Sequence, residues 1–275
     1  MPSRRRTLVL LLLSIVAVLY SLVPIYDVVS ISLMDSAQLF AHSVFPPTPN
    51  LHNFLQLFGY LPYAESRQVK LGIVNSMIVG LSVMTITMVA AVPAGYALGR
   101  LRMRGRDSVL WLILGARMIP PFAVLLPFYL YFRALNLLGT IPGLVIIQLS
   151  LAVPVVTWVL TGFFRALPVD VEMCARMDGC TRFQAFSRVL FPMASPGIAA
   201  SAVVAFLFSW NDYLYSLTIT SGTPAATLNA FISALGGPLL AAGAVVQIAV
   251  AVVLGGFLQK YITSLKIVDP GTVTL

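Results

Sequence analysis

Charge is what this sequence has least of. Asp, Glu, Lys and Arg together make up 9% of its 275 residues, against roughly a quarter in a soluble globular domain. Cysteine is nearly absent. Cys174 and Cys180 lack the CxxC spacing of a metal or redox motif, and two thiols do not make a disulfide framework. Histidine is limited to His42 and His52, with no metal-ligand or triad spacing around either. There is no GxxxxGK[ST] phosphate loop, so the chain is not expected to hydrolyse ATP itself. No catalytic constellation and no metal site is expected.

Apolar residues take the place of charge. They form 59% of the chain, and the mean hydropathy is +0.94. Several stretches approach the ~20 residues that a helix needs to cross ~30 Å of hydrocarbon. They are continuous rather than alternating, which favours helices over a closed barrel. The expected fold is therefore an all-α polytopic membrane protein, a single domain over residues 1–275 with six transmembrane helices. These are drawn as Thr7 to Val28, Leu71 to Leu98, Ser108 to Phe132, Thr140 to Phe164, Gly197 to Thr220 and Pro238 to Ile262. Arg4-Arg5-Arg6 before an apolar run resembles a secretory signal, but no small-x-small cleavage site follows. An uncleaved first span is expected. Pro120-Pro121 removes two backbone donors from the third span and predicts a kink or break there.

The net charge of +8 is a topology signal and gives no reason to invoke nucleic acid. Thirteen Lys and Arg residues fall at the N-terminus, between spans two and three, between spans four and five, and in the tail. The opposite loops hold Arg67, Lys70 and Arg133. The excess of positive charge inside predicts that both termini are cytosolic. Residues 30–70 then form an external loop, Pro-containing and amphipathic, either docking a partner or lying on the bilayer as a lid.

Residues 165–196 form the most informative internal segment. Pro168 suits the end of the fourth span or the first turn of a new helix, and Asp170 and Glu172 place negative charge near that helix's N-terminus. Gly179 is a natural left-handed stop. Thr181 with Gln184 makes a capping-box start for a second short helix, which Pro192 and Pro196 are expected to end before span five. The first helix carries small residues at Cys174 and Ala175. Its pattern alone fits either partner docking or a helix lying on the membrane surface.

This segment resembles the EAA loop of binding-protein-dependent importers, most closely the MalG-type carbohydrate permeases with the MetI-like fold. That pattern runs roughly L-P-x-E-L-E-E-A-A-x-x-D-G-A, followed by L-P-x-x-x-P. The matching residues are Leu167, Pro168, Asp170, Glu172, Ala175, Asp178, Gly179, Phe186, Pro192 and Pro196. Further matches are Asn75-Ser76, Ala94-Gly95-Tyr96-Ala97, Arg100-Leu101-Arg102, Met118-Ile119-Pro120-Pro121, Leu137-Leu138-Gly139-Thr140, Trp210-Asn211-Asp212 and Gln259-Lys260-Tyr261. The ordered set spans some 190 residues. Two positions depart from the pattern: Met173 stands where the motif's glutamate belongs, and Cys174 replaces its first alanine. The tail also lacks the family's usual G-A-V-K-G ending.

The resemblance implies one permease subunit of an ATP-driven sugar importer in a bacterial inner membrane. Its partners would be a second permease in a heterodimer, two ATPase subunits carrying ATP and Mg, and an extracytoplasmic solute-binding protein. This chain would bind no cofactor itself. Asp170, Glu172, Met173, Cys174, Ala175, Asp178 and Gly179 would form the ATPase-coupling loop. Asn75, Arg117, Trp210, Asn211 and Asp212 are candidates for the translocation pathway or the contact between permeases. Arg117 and Asp212 lie about 14 Å and about 22 Å from the cytosolic side. They either pair or face a hydrated cavity, since lipid is excluded for both. Trp210, Tyr213 and Tyr215 suit sugar stacking or the outer aromatic belt. The alternatives are an ion-coupled secondary transporter, or an importer of a polyol or glycerol phosphate. Neither an inverted repeat nor a set of acidic ligands is evident for the former.

Overall fold

The computed structural model describes residues 4–41, 45–61, 66–101 and 103–264. Among these every regular element is helical. Arg102 and the tail from residue 265 lie outside the described residues. The long helices are α1 (Arg4–Ser32), α3 (Ser66–Arg100), α6 (Ile141–Ala166), α9 (Phe191–Trp210) and α12 (Gly237–Ser264). Between α1 and α3 lies the short α2 (His52–Leu57). The third predicted span is divided into α4 (Arg106–Arg117) and α5 (Pro121–Ala134). Short helices follow as α7 (Val169–Met177), α8 (Arg182–Ala185), α10 (Leu214–Thr220) and α11 (Leu228–Ile232). Among the described residues five helical stretches are long and apolar enough to cross a bilayer, and α4 with α5 passes the same test together, a sixth if the bent pair counts as one span.

The Pro120-Pro121 break has the expected cause. Pro120 is extended, with φ −59° and ψ 134°, and Pro121 opens α5 at a position whose N–H would be unpaired anyway. The two halves meet at a bend of 85°.

The fifth span differs from expectation at both ends. Pro192 and Pro196 do not end the loop's second helix; helix runs on from Arg182 to Trp210. A π-turn at Phe186–Leu190 precedes Pro192, where the Phe191 N–H bonds the Phe186 carbonyl. Its wider i→i+5 spacing relieves the clash between a proline ring and the carbonyl four residues back. At the far end α9 stops at Trp210, ten residues before the predicted Thr220, and α10 is a separate helix.

The chain divides into two compact units, Met1–Leu71 with Phe231–Ala249, and Gly72–Ala230 with Val250–Leu275. In the first, the residues of α1 from Leu8 to Val23 are exposed along their length, as expected of a span that meets lipid or another chain. Its C-terminal end is closed by Asn53, whose side-chain amide donates to the carbonyls of Ser32 at 2.9 Å and Met34 at 2.8 Å. The external-loop prediction thus falls partly on helix and partly on this tie, with residues 42–44 and 62–65 outside the description.

In the second unit α3, α6 and α9 pack together. Glycine sets the approach of α3 to α6. A Cβ on Gly95 would lie 2.8 Å from the Leu160 side chain and 3.2 Å from its carbonyl carbon, and one on Gly99 would meet Phe164 at 2.9 Å. Ala91, Gly95 and Gly99 therefore form a small-residue stripe, the usual means of bringing membrane helices into contact without a hydrophobic driving force. Phe164, Leu160, Val156, Tyr96 and Leu190 form one apolar core there. Val79, Val83, Leu144, Ile147 and Tyr215 form a second, farther along the same helices.

Candidate functional site: the loop between α6 and α9

The loop is built from local rules. Helix α6 ends at Ala166, and extended backbone at Leu167 (ψ 144°) and Pro168 (ψ 132°) turns the chain into α7. Helix α7 ends in a Schellman motif. The Cys180 N–H bonds the Ala175 carbonyl at 3.1 Å, and the Gly179 N–H bonds Arg176 at 3.2 Å. Gly179 has φ +88°, a left-handed conformation that a Cβ would strain. Helix α8 starts with the reciprocal capping box: Thr181 Oγ1 accepts from the Gln184 N–H at 3.3 Å, and Gln184 Oε1 accepts from the Thr181 N–H at 2.8 Å. Helix, glycine turn and capped second helix all stand where the sequence placed them.

One face of α7 is pinned to the end of α3. The Tyr96 hydroxyl donates to Glu172 Oε1 at 3.0 Å, and Arg100 Nε lies 3.8 Å from Glu172 Oε2. Arg100 Nη2 also donates to the carbonyls of Leu167 at 2.7 Å and Pro168 at 3.1 Å, satisfying the end of α6. Phe186 of the π-turn packs on Tyr96 at 4.6 Å between ring centroids, and Tyr96 meets Phe164 edge-on at 5.8 Å. Two helices, α3 and α6, and the loop thus converge on Tyr96. Ala175 is buried, whereas Asp170, Met173, Cys174, Asp178 and Gly179 are exposed. The resemblance puts Glu172 in the ATPase-coupling group; here its carboxylate bonds within the chain. Only the pairing of Tyr96 and Arg100 with the loop could have revealed this, and those residues lie over 70 positions away.

Removing this clamp gives a measurable loosening. Glu172→Ala deletes one charge-assisted hydrogen bond and one ion pair, together about 1.5–3 kcal/mol. Amide exchange in residues 170–177 is expected to rise at least tenfold, with Tyr96→Phe giving a smaller rise. Unchanged exchange in both variants would show that the clamp does not hold the helix.

The other candidates gather around the end of α9. Asp212 Oδ2 accepts from Gln148 Nε2 at 2.9 Å, from the Ser216 N–H at 3.0 Å and from the Ser216 hydroxyl at 3.1 Å. Ser209 donates to Gln148 Oε1 at 2.5 Å, extending the network. Asn229 Nδ2 donates to the carbonyls of Trp210 and Asp212, both at 2.8 Å. Asp212 therefore joins α6, α9 and α10. Arg117 ends α4, and its side chain lies outside the described residues, so both alternatives given for it, pairing and a hydrated cavity, fall there too. Trp210 is 2% exposed and stacks on Phe206 at 5.8 Å, with 16° between the rings. Asn75 donates to the carbonyls of Pro224 and Ala226, both at 2.9 Å. Asn211 and Tyr213 remain exposed. With Asp212 and Tyr215 they line a cavity of about 570 Å³ whose other walls include Pro121, Leu151 and Phe208.

Residues 91–268, which contain the whole loop and the Asp212 corner, match the family of binding-protein-dependent transport system inner membrane components. The chain belongs to this family. Among similar proteins, a trehalose transport system permease of Mycobacterium tuberculosis is 32% identical over 208 residues, 76% of this chain and 74% of that one. A sulfoquinovosyl glycerol transport system permease of Agrobacterium fabrum is 32% identical over 241 residues, 85% and 82% of the two chains. A maltodextrin transport system permease of Bacillus subtilis is 31% identical over 200 residues, 69% and 71%. The fold matches a chain in the crystal structure of a bacterial ABC transporter involved in alginate import, with a TM-score of 0.74 over 95% of this chain and 99% of that one, at 18% identity. As an inner membrane component of such a system, the chain is a transport subunit that works with a binding protein.

Proposed function

We propose that this chain is one permease of a heterodimeric pore that imports di- or oligosaccharides, driven by two ABC ATPase subunits that carry the ATP and Mg. The observation that carries this reading is the loop from Pro168 to Gln184. It is a short rigid helix, stopped at Gly179 and restarted at Thr181, pinned by one face and open on the other. Such an element transmits a partner's movement to the spans as a rigid body. The thirteen-to-three bias of basic residues supports a cytosolic position for the loop and both termini. Relatives named for trehalose and maltodextrin transport support the sugar class. The relative named for sulfoquinovosyl glycerol favours a second reading, a sugar–polyol conjugate. The cavity at Asn211 and Tyr213 presents polar tips beside apolar walls, a composition suited to sugar hydroxyls and ring faces.

Gly179→Val tests the coupling role. Nothing lies within 4 Å of a Cβ there, so the effect is backbone strain alone, about 1–2 kcal/mol. Membrane insertion is expected to be normal, while substrate-stimulated ATP hydrolysis falls about tenfold as the turn between α7 and α8 reorganises. Full assembly with full stimulated hydrolysis would remove the loop from the coupling pathway.

A further inference from the structure

The outward face of α7 carries an apolar stripe. Val169, Met173 and Met177 recur every four residues, which keeps them on one side of a helix. They are 57%, 58% and 80% exposed. Ala175 is buried on the far side of the helix, and Glu172, about 100° round from Met173 at ~3.6 residues per turn, bonds to Tyr96 and Arg100. The helix is thus held so that the stripe stays outward. Among the described residues nothing in the chain covers it.

Two surfaces in a cell cover an apolar helical stripe, a bilayer or a protein groove. A helix that lies on a bilayer carries Lys and Arg on its polar face, drawn to anionic headgroups. Helix α7 carries Asp170 and Glu172 against a single Arg176, and Asp178 follows directly. Its charge disfavours an anionic membrane. Methionine, unbranched and polarizable, fits irregular apolar grooves in a protein partner.

Resting on the proposed coupling role, we infer that Met173 and Met177 are the anchors by which this permease seats in its ATPase. The groove that receives them is apolar where the two thioethers enter. It is rimmed by a cation facing Asp170 and Asp178 and an anion facing Arg176. Attachment at this point is by shape and apolar burial, with charge at the rim setting orientation. A partner whose groove is polar at its floor is then a poor match for this chain.

The experiment uses the assembled complex, purified through a tag on this chain, with a photo-crosslinking residue at position 173, 177 or 183. Phe183, 76% exposed on α8, reports loop docking away from the stripe. Crosslinks from 173 and 177 to the ATPase subunit are expected, together with crosslinks from 183. ATPase crosslinks from 183 alone would overturn the anchor while leaving the docking loop in place. Crosslinks from all three positions to lipid, to the second permease or to another copy of this chain would overturn both. In parallel, M173Q/M177Q is expected to weaken ATPase retention about tenfold to a hundredfold, from losing two buried apolar side chains. M173L/M177L keeps retention near the parent level. Equal retention by both double variants would also overturn the anchor.

Discussion

Asp212→Ala is expected to destabilise the junction of α6, α9 and α10 by about 2–4 kcal/mol, because it leaves at least two buried donors without an acceptor at ~1–3 kcal/mol each. The orphaned groups are Gln148 Nε2 and the Ser216 N–H. Gln148 is 1% exposed, so water does not easily replace the carboxylate. Loss spreads along the network, since Gln148 also holds Ser209. The check is thermal unfolding of the detergent-purified complex. Asp212→Asn keeps one carbonyl acceptor and is expected to recover about half of the lost stability. A variant that unfolds like the parent but no longer transports would instead make Asp212 a solute contact and not a structural joint.

Gly95→Leu carries the second large effect. The added side chain has no rotamer that avoids α6, because backbone atoms of Leu160 and Thr161 lie 3.2 Å from its first carbon. Overpacking of a well-filled contact typically costs ~1–3 kcal/mol, and more where backbone must move. Separation of α3 from α6 also shifts Tyr96, which meets Phe164, Phe186 and Glu172. Both the amount of folded complex and its ATPase retention are therefore expected to fall several-fold, read by size-exclusion chromatography of a fluorescent fusion. Gly162→Leu is the control, since nothing lies within 4 Å of a Cβ at Gly162. If the two variants behaved alike, the close contact at Gly95 would carry no energetic weight.

The parts of this protein that were legible in the sequence are those written in local signals. Span count follows from hydropathy, and the stop at Gly179 and the box at Thr181 and Gln184 follow from hydrogen bonds made within a few residues. The break at Pro120-Pro121 follows from two missing donors. Structure and expectation differ where a local signal is outweighed by its neighbours. Pro192 and Pro196 look like helix ends, yet the π-turn at Phe186–Leu190 accommodates Pro192 and the helix runs on past Pro196 as well. Trp210-Asn211-Asp212 looks like the interior of a span, yet Asp212 accepts from the Ser216 N–H and starts a new helix instead.

Other features are long-range and had no local signal. Glu172 meets Tyr96 across 76 positions of sequence, and Asp212 meets Gln148 across 64. The stripe of Ala91, Gly95 and Gly99 was visible in the sequence as small residues four apart. Its meaning as a packing face depends on Leu160 and Phe164 of α6 lying against it, which no local signal carries. Met173 likewise stands out in the sequence only as a departure from the EAA pattern. Its repeat with Val169 and Met177 acquires meaning only once the opposite face of α7 is seen to be occupied.

We propose that this chain acts as half of an ATP-driven importer through the loop at Asp178 and Gly179. The most direct measurement is purification of the tagged chain from membranes of its own cell, with identification and counting of the proteins that co-elute. The expected result is one second permease and two ATPase subunits per chain, in a complex whose ATP hydrolysis rises when solute-loaded binding protein is added. A chain that elutes alone and moves solute on a proton gradient would contradict it.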